Sequence, residues 1–326
     1  MVRQAFVALV ALASSATLYA QPATTKLDAV AGIPKQDDKT QTEDVRFKDQ
    51  PDDRMTVQVR LSGTGPFQFL VDTGADRTAI SRDLAARLGL AKGEKAAIHT
   101  IAGVSTVSTA TIPDLELTKK PLTVKDAPLL DSGNMGADGI LGVDSLRSQR
   151  VLFDFGTKTL SIVPSAVPDF RDEPGTIVVQ AERKNGRLVV TDATANGRDL
   201  TVVIDTGAQL SIGNEELRKQ LLGSNLVDPY QQVQLQSVTG AFISGDYMFV
   251  RELQIGGLTL RNLAIVFAES HAFKELKLDR RPALLLGMNA IRAFKKVSID
   301  FASRKFRVVL PESSQLDLRL AASRLK

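Results

Sequence analysis

The stretch FLVDTGADRTAI, residues 69–80, has a close counterpart much later in the chain, VVIDTGAQLSI, residues 202–212. In each stretch an apolar run leads into Asp-Thr-Gly-Ala, so Asp72 and Asp205 occupy equivalent positions, 133 residues apart. An internal repeat is a strong indicator of architecture, because each copy is expected to fold in the same way. The extent of the repeat therefore decides the fold.

The match continues beyond these two stretches. ILG at 140–142 corresponds to LLG at 285–287, and VLFDF at 151–155 corresponds to VSIDF at 297–301. The segments keep their order, and their separations increase only to 145 and 146 residues. The sequence therefore predicts a duplicated domain with small loop insertions in the second copy.

A single Asp-Thr-Gly would indicate little more than a strand followed by a turn, because Asp and Gly are common turn residues. Two copies, each followed by an apolar-apolar-Gly segment, are poorly explained in that way. The repeat therefore points to a shared function of the two motifs.

The composition is that of a globular protein and excludes several kinds of site. The chain has 326 residues and is 43% hydrophobic, enough for two domains with real cores. The formal charge is only +4 and aromatic residues make up 5%, so no nucleic-acid partner is predicted. The absence of cysteine excludes disulfides, thiolate nucleophiles and cysteine-ligated zinc.

The only two histidines, His99 and His271, lie in no recognisable motif. They are therefore interpreted as structural residues on the surface or partly buried. The chain contains no HExxH sequence and no phosphate-binding Gly-Lys-Ser/Thr loop. The sequence predicts no metal and no cofactor.

The N-terminus has the pattern of an export signal. Arg3 precedes an apolar, alanine-rich run at 5–18 that is too short for a comfortable membrane span, and Ala20 follows small residues. We expect residues 1–20 to be a signal peptide, with an uncleaved N-terminal anchor as the alternative. Either way the protein is exported, and the lack of cysteine is compatible with a bacterial periplasm. No stable membrane insertion is expected after signal cleavage.

Residues 21–53 are polar, carry several acidic pairs and show no sustained apolar period. Such a segment buries too little surface to offset its ordering entropy. It is predicted to be a flexible linker or a propeptide, and the composition does not decide between the two.

From Met55 onward the pattern is that of β-strands, with alternating segments and glycine-containing turns. Short helices are expected after Ser81 and from Asn214. Glycine-tipped hairpins are expected around Gly103 and Gly240.

Three prolines between residues 164 and 174 mark the boundary between the copies. The predicted fold is all-β, with two pseudo-twofold-related lobes and a few short helices. The first lobe spans residues 54–168, the second spans 169–310, and 311–326 form a polar tail.

Packing two equivalent lobes about a pseudo-twofold axis brings Asp72 opposite Asp205. Each aspartate follows a buried strand, in a turn where glycine permits an otherwise closed backbone course and close approach by a partner. The threonines can hydrogen-bond across the axis and hold the carboxylates in place. The residues predicted to support the pair are Thr73, Gly74, Thr206 and Gly207.

Two carboxylates about 3 Å apart repel by roughly 5 kcal/mol at an effective dielectric near 20, about 4 pKa units. One proton is therefore shared over a broad pH range. The ionised member can take a proton from a water molecule, while the protonated member stabilises a substrate carbonyl oxygen. This is general acid–base hydrolysis of an amide without a covalent intermediate.

These motifs resemble those of aspartic peptidases of the retropepsin type, and the resemblance covers about Met55 to Leu310. The chain is similar to a fusion of two retropepsin-sized lobes, as in some bacterial periplasmic aspartic proteases. The resemblance implies an exported endopeptidase that uses Asp72 and Asp205 on polypeptide substrates. It also implies a monomer with an intramolecular pseudo-dimer.

By the same resemblance, substrate would be contacted by the residue after each Ala and by two flap tips. These residues are Asp76, Gln209, Ile101, Ala102, Gly103, Val238, Thr239 and Gly240. Asp76 would hydrogen-bond the substrate backbone, whereas the second lobe has Gln209 in its place. The subsites should therefore be asymmetric.

The chain also departs from the family pattern. Neither flap has the tyrosine typical of pepsins, and Gly142 is followed by Val-Asp instead of Arg-Asn. The sequence therefore does not show which residue pairs with Asp76. Ala75 and Ala208 lack a hydroxyl that would stabilise the ionised pair, which implies activity at mildly acidic to neutral pH.

Three alternatives remain beside this hypothesis. A peptide-binding or scaffold protein could use the same fold, although it would not need both aspartates. A two-carboxylate glycosidase is disfavoured because Trp is absent and Tyr numbers only 3. Pairing of lobes from separate chains is disfavoured because lobes within one chain meet at high effective concentration.

Overall fold

The computed structural model describes residues 45–46, 55–117, 121–167, 170, 173–222 and 231–311. Within these residues strands dominate and all helices are short, which confirms the all-β prediction. No helix in the described part of the chain is long and apolar enough to cross a membrane.

The strands up to Pro164 comprise one short strand of the 21–53 segment, β1, and the strands of the first copy of the repeat. They are β1 (Val45–Arg46), β2 (Thr56–Leu61), β3 (Thr64–Val71), β4 (Ala79–Ser81), β5 (Ala96–Thr100), β6 (Gly103–Val107), β7 (Thr109–Glu116), β8 (Leu122–Leu130), β9 (Gly139–Leu141), β10 (Gln149–Asp154) and β11 (Thr159–Pro164). The helices between them are α1 (Arg82–Arg87), α2 (Ser132–Met135) and α3 (Val143–Leu146).

The strands from Thr176 onward belong to the second copy. They are β12 (Thr176–Gln180), β13 (Glu182–Lys184), β14 (Arg187–Val190), β15 (Ala193–Ala195), β16 (Arg198–Asp199), β17 (Thr201–Ile204), β18 (Ser211–Gly213), β19 (Gln231–Gln236), β20 (Phe242–Ile255), β21 (Leu258–Phe267), β22 (Ala283–Leu286), β23 (Lys296–Asp300) and β24 (Lys305–Val309). The helices here are α4 (Glu215–Leu222), α5 (His271–Glu275) and α6 (Met288–Ile291).

The two copies share one strand arrangement around their Asp-Thr-Gly motifs. In the first lobe β3 runs parallel to β9, β9 antiparallel to β4, and β4 parallel to β8, within a closed barrel. In the second lobe β17, β22, β18 and β21 repeat these directions in the same order. The predicted duplication is therefore present in the fold as well as in the sequence.

A six-stranded sheet joins the two lobes, in the order β1-β11-β10-β23-β24-β12. Its centre is the antiparallel pair of β10 and β23, where Val151 lies opposite Ile299 and both side chains are fully buried. The closing hairpins of the two lobes thus form one continuous sheet with a common apolar face. The lobe limits at 168 and 169 remain sequence-based predictions.

Both helix starts predicted from the sequence are capped by a side chain. The Ser81 side chain accepts a hydrogen bond from the Leu84 backbone N–H (3.1 Å) at the start of α1. Asn214 Oδ1 accepts from the Leu217 N–H (2.9 Å) at the start of α4. Side-chain capping therefore ends the preceding strands and fixes where these helices begin.

Helices α2 and α5 were not expected from the sequence. Each follows the long strand that ends its lobe's hairpin, and each is too short to show a helical apolar period. Their caps are Asp131, which accepts from the Gly133 N–H (2.9 Å), and Ser270, which accepts from the Ala272 N–H (3.3 Å). The hairpin around Gly240 is hydrogen-bonded to α2, and the hairpin around Gly103 is hydrogen-bonded to α5.

Several sequence-based predictions fall outside the described residues. These are the signal peptide at 1–20, most of the 21–53 segment and the tail beyond Pro311. Within the 21–53 segment, Val45–Arg46 pairs with β11, and Val45 lies opposite Leu160. The assignments of these segments remain predictions.

Candidate active site

The two aspartates stand at equivalent strand ends. The Asp72 backbone N–H donates to the Leu141 carbonyl oxygen (3.0 Å), and the Asp205 N–H donates to the Leu286 carbonyl oxygen (3.0 Å). Each aspartate therefore begins a turn beside the end of the neighbouring parallel strand. The apolar residues before the motif form that strand because they are buried on both faces.

Each carboxylate lies against the glycine of the other lobe. A Cβ atom added to Gly74 would lie 2.5 Å from Asp205 Oδ1, and one added to Gly207 would overlap the Asp72 carboxylate. Glycine is required at both positions because any side chain would occupy the space of the facing carboxylate. The structure therefore brings Asp72 and Asp205 into one site across the lobe interface.

Backbone N–H groups hold the carboxylates within their own turns. The Gly74 N–H donates to Asp72 Oδ1 (2.8 Å), and the Gly207 N–H donates to Asp205 Oδ1 (3.0 Å). The Ala208 N–H also donates to Asp205 Oδ1 (3.2 Å). These bonds orient both carboxylates without using a side-chain donor.

The threonines of the motifs form four reciprocal hydrogen bonds across the axis. Thr73 Oγ1 accepts from the Thr206 N–H (3.0 Å) and donates to the Ile204 carbonyl oxygen (2.8 Å). Thr206 Oγ1 accepts from the Thr73 N–H (3.1 Å) and donates to the Val71 carbonyl oxygen (2.7 Å). Both threonines are buried. Each lobe thereby satisfies polar groups of the other.

A further hydroxyl secures the turn in the first lobe, and the sequence analysis missed it. Thr78 accepts from the Gly142 N–H (3.1 Å) and donates to Asp144 Oδ1 (2.7 Å). The Asp144 carboxylate also accepts from the Thr78 N–H (2.9 Å). Thr78 is fully buried, so these bonds fix the aspartate turn to the segment after β9.

The second lobe repeats this support with different residue types. Ser211 accepts from the Gly287 N–H (3.1 Å) and donates to Asn289 Oδ1 (2.8 Å). The equal spacing could have identified these two hydroxyl residues from the sequence, since Thr78 and Ser211 both stand six residues after their aspartates. Thr, Ser, Asp and Asn are common turn and cap residues, so their types alone did not mark them.

The partner of Asp76 comes from the opposite lobe. Arg187, at the start of β14, places Nη1 3.0 Å from Asp76 Oδ1 and donates from Nε to the Gly74 carbonyl oxygen (2.6 Å). The arginine side chain is only 12% exposed, whereas Asp76 is 44% exposed. Arg187 is therefore the partner of Asp76, in place of the arginine that the family pattern has after Gly142.

Gln209, in the place equivalent to Asp76, is exposed and carries no charge. Its backbone carbonyl oxygen accepts from the Asn289 N–H (3.0 Å), just as the Asp76 carbonyl oxygen accepts from the Asp144 N–H (3.2 Å). The backbone is therefore symmetric here while the side-chain charges are not.

Burial raises the pKa of both aspartates. The pKa of Asp72 rises to about 7, through burial first and the neighbouring Asp205 carboxylate second. Burial also raises the pKa of Asp205, while the nearby Arg187 charge opposes the rise for both groups. The two carboxyl groups titrate as one pair, and a proton is held on the pair up to near-neutral pH.

Two hairpins carry the predicted flap residues. The first flap is the β5-β6 hairpin, residues 96–107, and the second is the β19-β20 hairpin, residues 231–247. Both turns contain a glycine with positive φ, +130° at Gly103 and +85° at Gly240. The predicted tip residues that stand in these turns are Ile101, Ala102, Gly103, Val238, Thr239 and Gly240.

Each flap tip rests on the opposite lobe. Ile101 packs against an apolar cluster of the second lobe that contains Phe273, and Leu210 packs on the same cluster. Val238 packs against a first-lobe cluster, as Ala75 does. Ala75 and Leu210 lie within the aspartate turns, so both tips are beside the site.

Comparison with protein families gives one match in each lobe. Residues 57–148 match the family model described as gag-polyprotein putative aspartyl protease, and residues 191–290 match the model described as aspartyl protease. No curated protein matches the chain. The two family matches therefore lie in tandem, and each contains one of the two aspartates.

We predict that Thr73→Val destabilises the fold, because it leaves the Thr206 N–H and the Ile204 carbonyl without their partner in a buried site. Each unsatisfied group is expected to cost about 1–3 kcal/mol. Urea unfolding at constant pH measures the loss. Thr73→Ser keeps the hydroxyl and should retain most of the stability. Equal stability of the Val and Ser variants would contradict a stabilising role for these bonds.

We also predict that Asp72 makes stability depend on pH. Its pKa is raised from 3.8 to about 7, so its contribution is full below pH 4 and is lost as the pH rises through 7. Relative to wild type, Asp72→Asn should gain up to about 4 kcal/mol between pH 4 and pH 8, at 1.36 kcal/mol per pKa unit.

Urea unfolding of both proteins across this pH range tests the effect. Asp83→Asn, on the exposed face of α1, is the matched control and should keep a constant difference from wild type. A difference between wild type and Asp72→Asn that does not change with pH would show that the carboxyl group is not protonated at the expected pH.

Proposed function

We propose that this chain, a two-lobed retropepsin-like protein of the aspartyl protease families, is an exported aspartic endopeptidase acting on polypeptides. The observation that carries the proposal is the reciprocal contact of each aspartate with the glycine of the opposite motif. Because of this contact, the two carboxylates of different lobes share a single buried site. The apolar run at 5–18 and the absence of cysteine support export.

The chemistry follows from one proton on the carboxylate pair. The ionised carboxylate takes a proton from a water molecule, and the water oxygen attacks the carbonyl carbon of the peptide bond. The protonated carboxyl group gives its proton to the carbonyl oxygen, which neutralises the charge that develops there. The tetrahedral diol then collapses: the carboxyl group that gained the water's proton gives it to the leaving nitrogen, the other carboxylate takes a proton from one diol hydroxyl, and the C–N bond breaks.

The threonine bonds and the backbone donors give this chemistry its geometry. The carboxylates are held by N–H groups of their own turns, and the turns are held to each other through Thr73 and Thr206. Little reorganisation is then required when the water attacks, which lowers the barrier. Thr73, Gly74, Thr206 and Gly207 act here as positioning residues.

The substrate would bind as an extended chain between the aspartate turns and the flaps. The flap tips contact clusters beside both turns, so a bound peptide would lie beneath Ile101 and Val238. Flap closure would exclude bulk water and complete the site. Asp76, fixed by Arg187, offers a charged acceptor to one half of the peptide, and Gln209 offers a neutral amide to the other.

We predict that Asp205→Asn abolishes cleavage of a diverse peptide mixture, with a loss of at least about 10²–10⁴-fold, because one acid–base group is removed. Purified full-length protein and mass spectrometry of the products measure the rate and give the cut sites. Asp83→Asn serves as the control and should cleave at the wild-type rate. Undiminished cleavage by a folded Asp205→Asn protein would rule out the dyad. A folded wild type that binds peptides without cutting them would favour a peptide-binding protein.

We predict a bell-shaped pH profile of kcat/KM with its maximum at mildly acidic to neutral pH. The active form holds one proton on the pair, so the rate rises as the first proton leaves and falls as the pair loses its remaining proton near pH 7. Initial rates on one cleaved peptide from pH 3 to pH 9 supply the profile. Activity confined to strongly acidic pH would contradict the raised pKa.

A further inference from the structure

The only two histidines of the chain lie side by side where the first flap meets the second lobe. His99 belongs to β5 and His271 opens α5, 172 residues further on. His99 Nδ1 and His271 Nε2 are 2.8 Å apart, and the ring centroids are 5.1 Å apart with 19° between the ring planes, so the two imidazoles meet end to end through these nitrogens. The fold thus brings together both imidazoles that the chain has.

A carboxylate completes the group. Glu275 stands one helical turn after His271 on α5, and its Oε2 lies 3.2 Å from His99 Nδ1. One ligand atom from each of the three residues falls within 4.8 Å of the other two. Two imidazoles and one carboxylate form a ligand set that suits zinc and related transition metals.

We propose that His99, His271 and Glu275 bind one divalent transition-metal ion of the Zn²⁺ class, and that the ion fastens the first flap to the second lobe. Two nitrogen atoms on one tetrahedral zinc, each about 2.0–2.1 Å from the metal, lie about 3.3 Å apart. The imidazole nitrogens therefore need to separate by about half an ångström and the rings need to tilt until both nitrogens point at the ion, while the ring that now donates moves its proton to its other nitrogen.

The site is open to an ion from solvent. The side chains of His99 and Glu275 are 40% and 38% exposed, so the ion needs no unfolding to enter. Three protein ligands leave a fourth position of the tetrahedron for water. The sequence analysis interpreted the histidines as structural because ligands this far apart in sequence form no motif.

The second flap provides an internal comparison. Gln236 stands four residues before Gly240, as His99 stands four residues before Gly103. Gln236 Nε2 donates to Asn134 Oδ1 of α2 (3.2 Å), so this flap is also tied to the helix of the opposite lobe. Amide groups are weak ligands for transition metals, so an ion would fasten the first flap alone.

An ion at this site would hold the first flap closed. The Ile101 carbonyl oxygen at the flap tip already accepts from the His271 N–H (3.0 Å), so the attachment point exists without metal. The metal bonds would add to it and slow flap opening. The expected effect on turnover rests on the proposed peptidase function, whereas metal binding and flap protection do not.

The first experiment measures binding of Zn²⁺ to untagged full-length protein by calorimetry and by competition with a chromogenic chelator. We expect one Zn²⁺ per chain. His99→Gln, which gives the first flap the residue of the second, should lower the affinity by more than about 100-fold, the upper end of the loss seen for residues that merely support a ligand. Gln236→Ala is the control and should bind as wild type does. Absent binding, or equal binding by a folded His99→Gln protein, would overturn the site.

The second experiment measures amide hydrogen exchange with and without Zn²⁺. The ion should slow exchange in residues 96–107 of wild type, but neither in 231–247 nor in His99→Gln. Unchanged exchange in a zinc-bound protein would overturn the proposal that the ion fastens the first flap to the second lobe.

The third experiment compares cleavage rates with Zn²⁺ and after its removal by a chelator. A reversible inhibition of at least about fivefold, the lower end of typical couplings between sites, is expected for wild type only. Equal inhibition of His99→Gln would show that zinc does not lower the cleavage rate through this site. Metal-free wild type that cleaves nothing would refute the peptidase function, while the binding and exchange experiments still decide the metal site.

Discussion

The mutual burial of two carboxylates on the lobe interface is the constraint on which the rest of the structure depends. Two such groups repel, and each loses hydration when it is buried, so the fold has to supply compensation close by. It does so with N–H donors in each aspartate turn and with one retained proton, as the raised pKa of Asp72 indicates. The four threonine bonds prevent the turns from separating to relieve the repulsion.

This constraint explains why the lobes are tied together at two levels. Beneath the site, Thr78 and Ser211 fix each turn to the glycine of the apolar-apolar-Gly segment and to the short helix that follows it. Further away, the six-stranded sheet joins β10 to β23 through fully buried side chains. A shift of one lobe would therefore break polar bonds at the axis and apolar contacts in the sheet at the same time.

The local repeat was enough to predict the fold and the aspartate pair, because Asp-Thr-Gly after a buried strand carries its own geometry. The placement of both aspartates against the opposite glycines agrees with that expectation. Arg187 escaped detection, since its contact with Asp76 joins residues from different lobes and a single arginine in a strand carries no signal. Helices α2 and α5 escaped because four or five residues are too few to display a period. The histidine pair also escaped detection, because its two members come from different lobes and form no sequence motif.

Outside the Asp-Thr-Gly-Ala motifs, several equivalent positions of the two lobes carry different residues. Asp76 corresponds to Gln209, Asp144 corresponds to Asn289, and His99 corresponds to Gln236. In a homodimer of one lobe, each of these residues would occur on both sides of the axis, and a metal-bound flap on one side would require the same on the other. Fusion of the lobes removes that requirement, because each half can change separately once the threonine bonds and the shared sheet hold the pair. The symmetric interactions thus maintain the aspartate pair, and they leave the subsites and flaps of the two lobes free to differ.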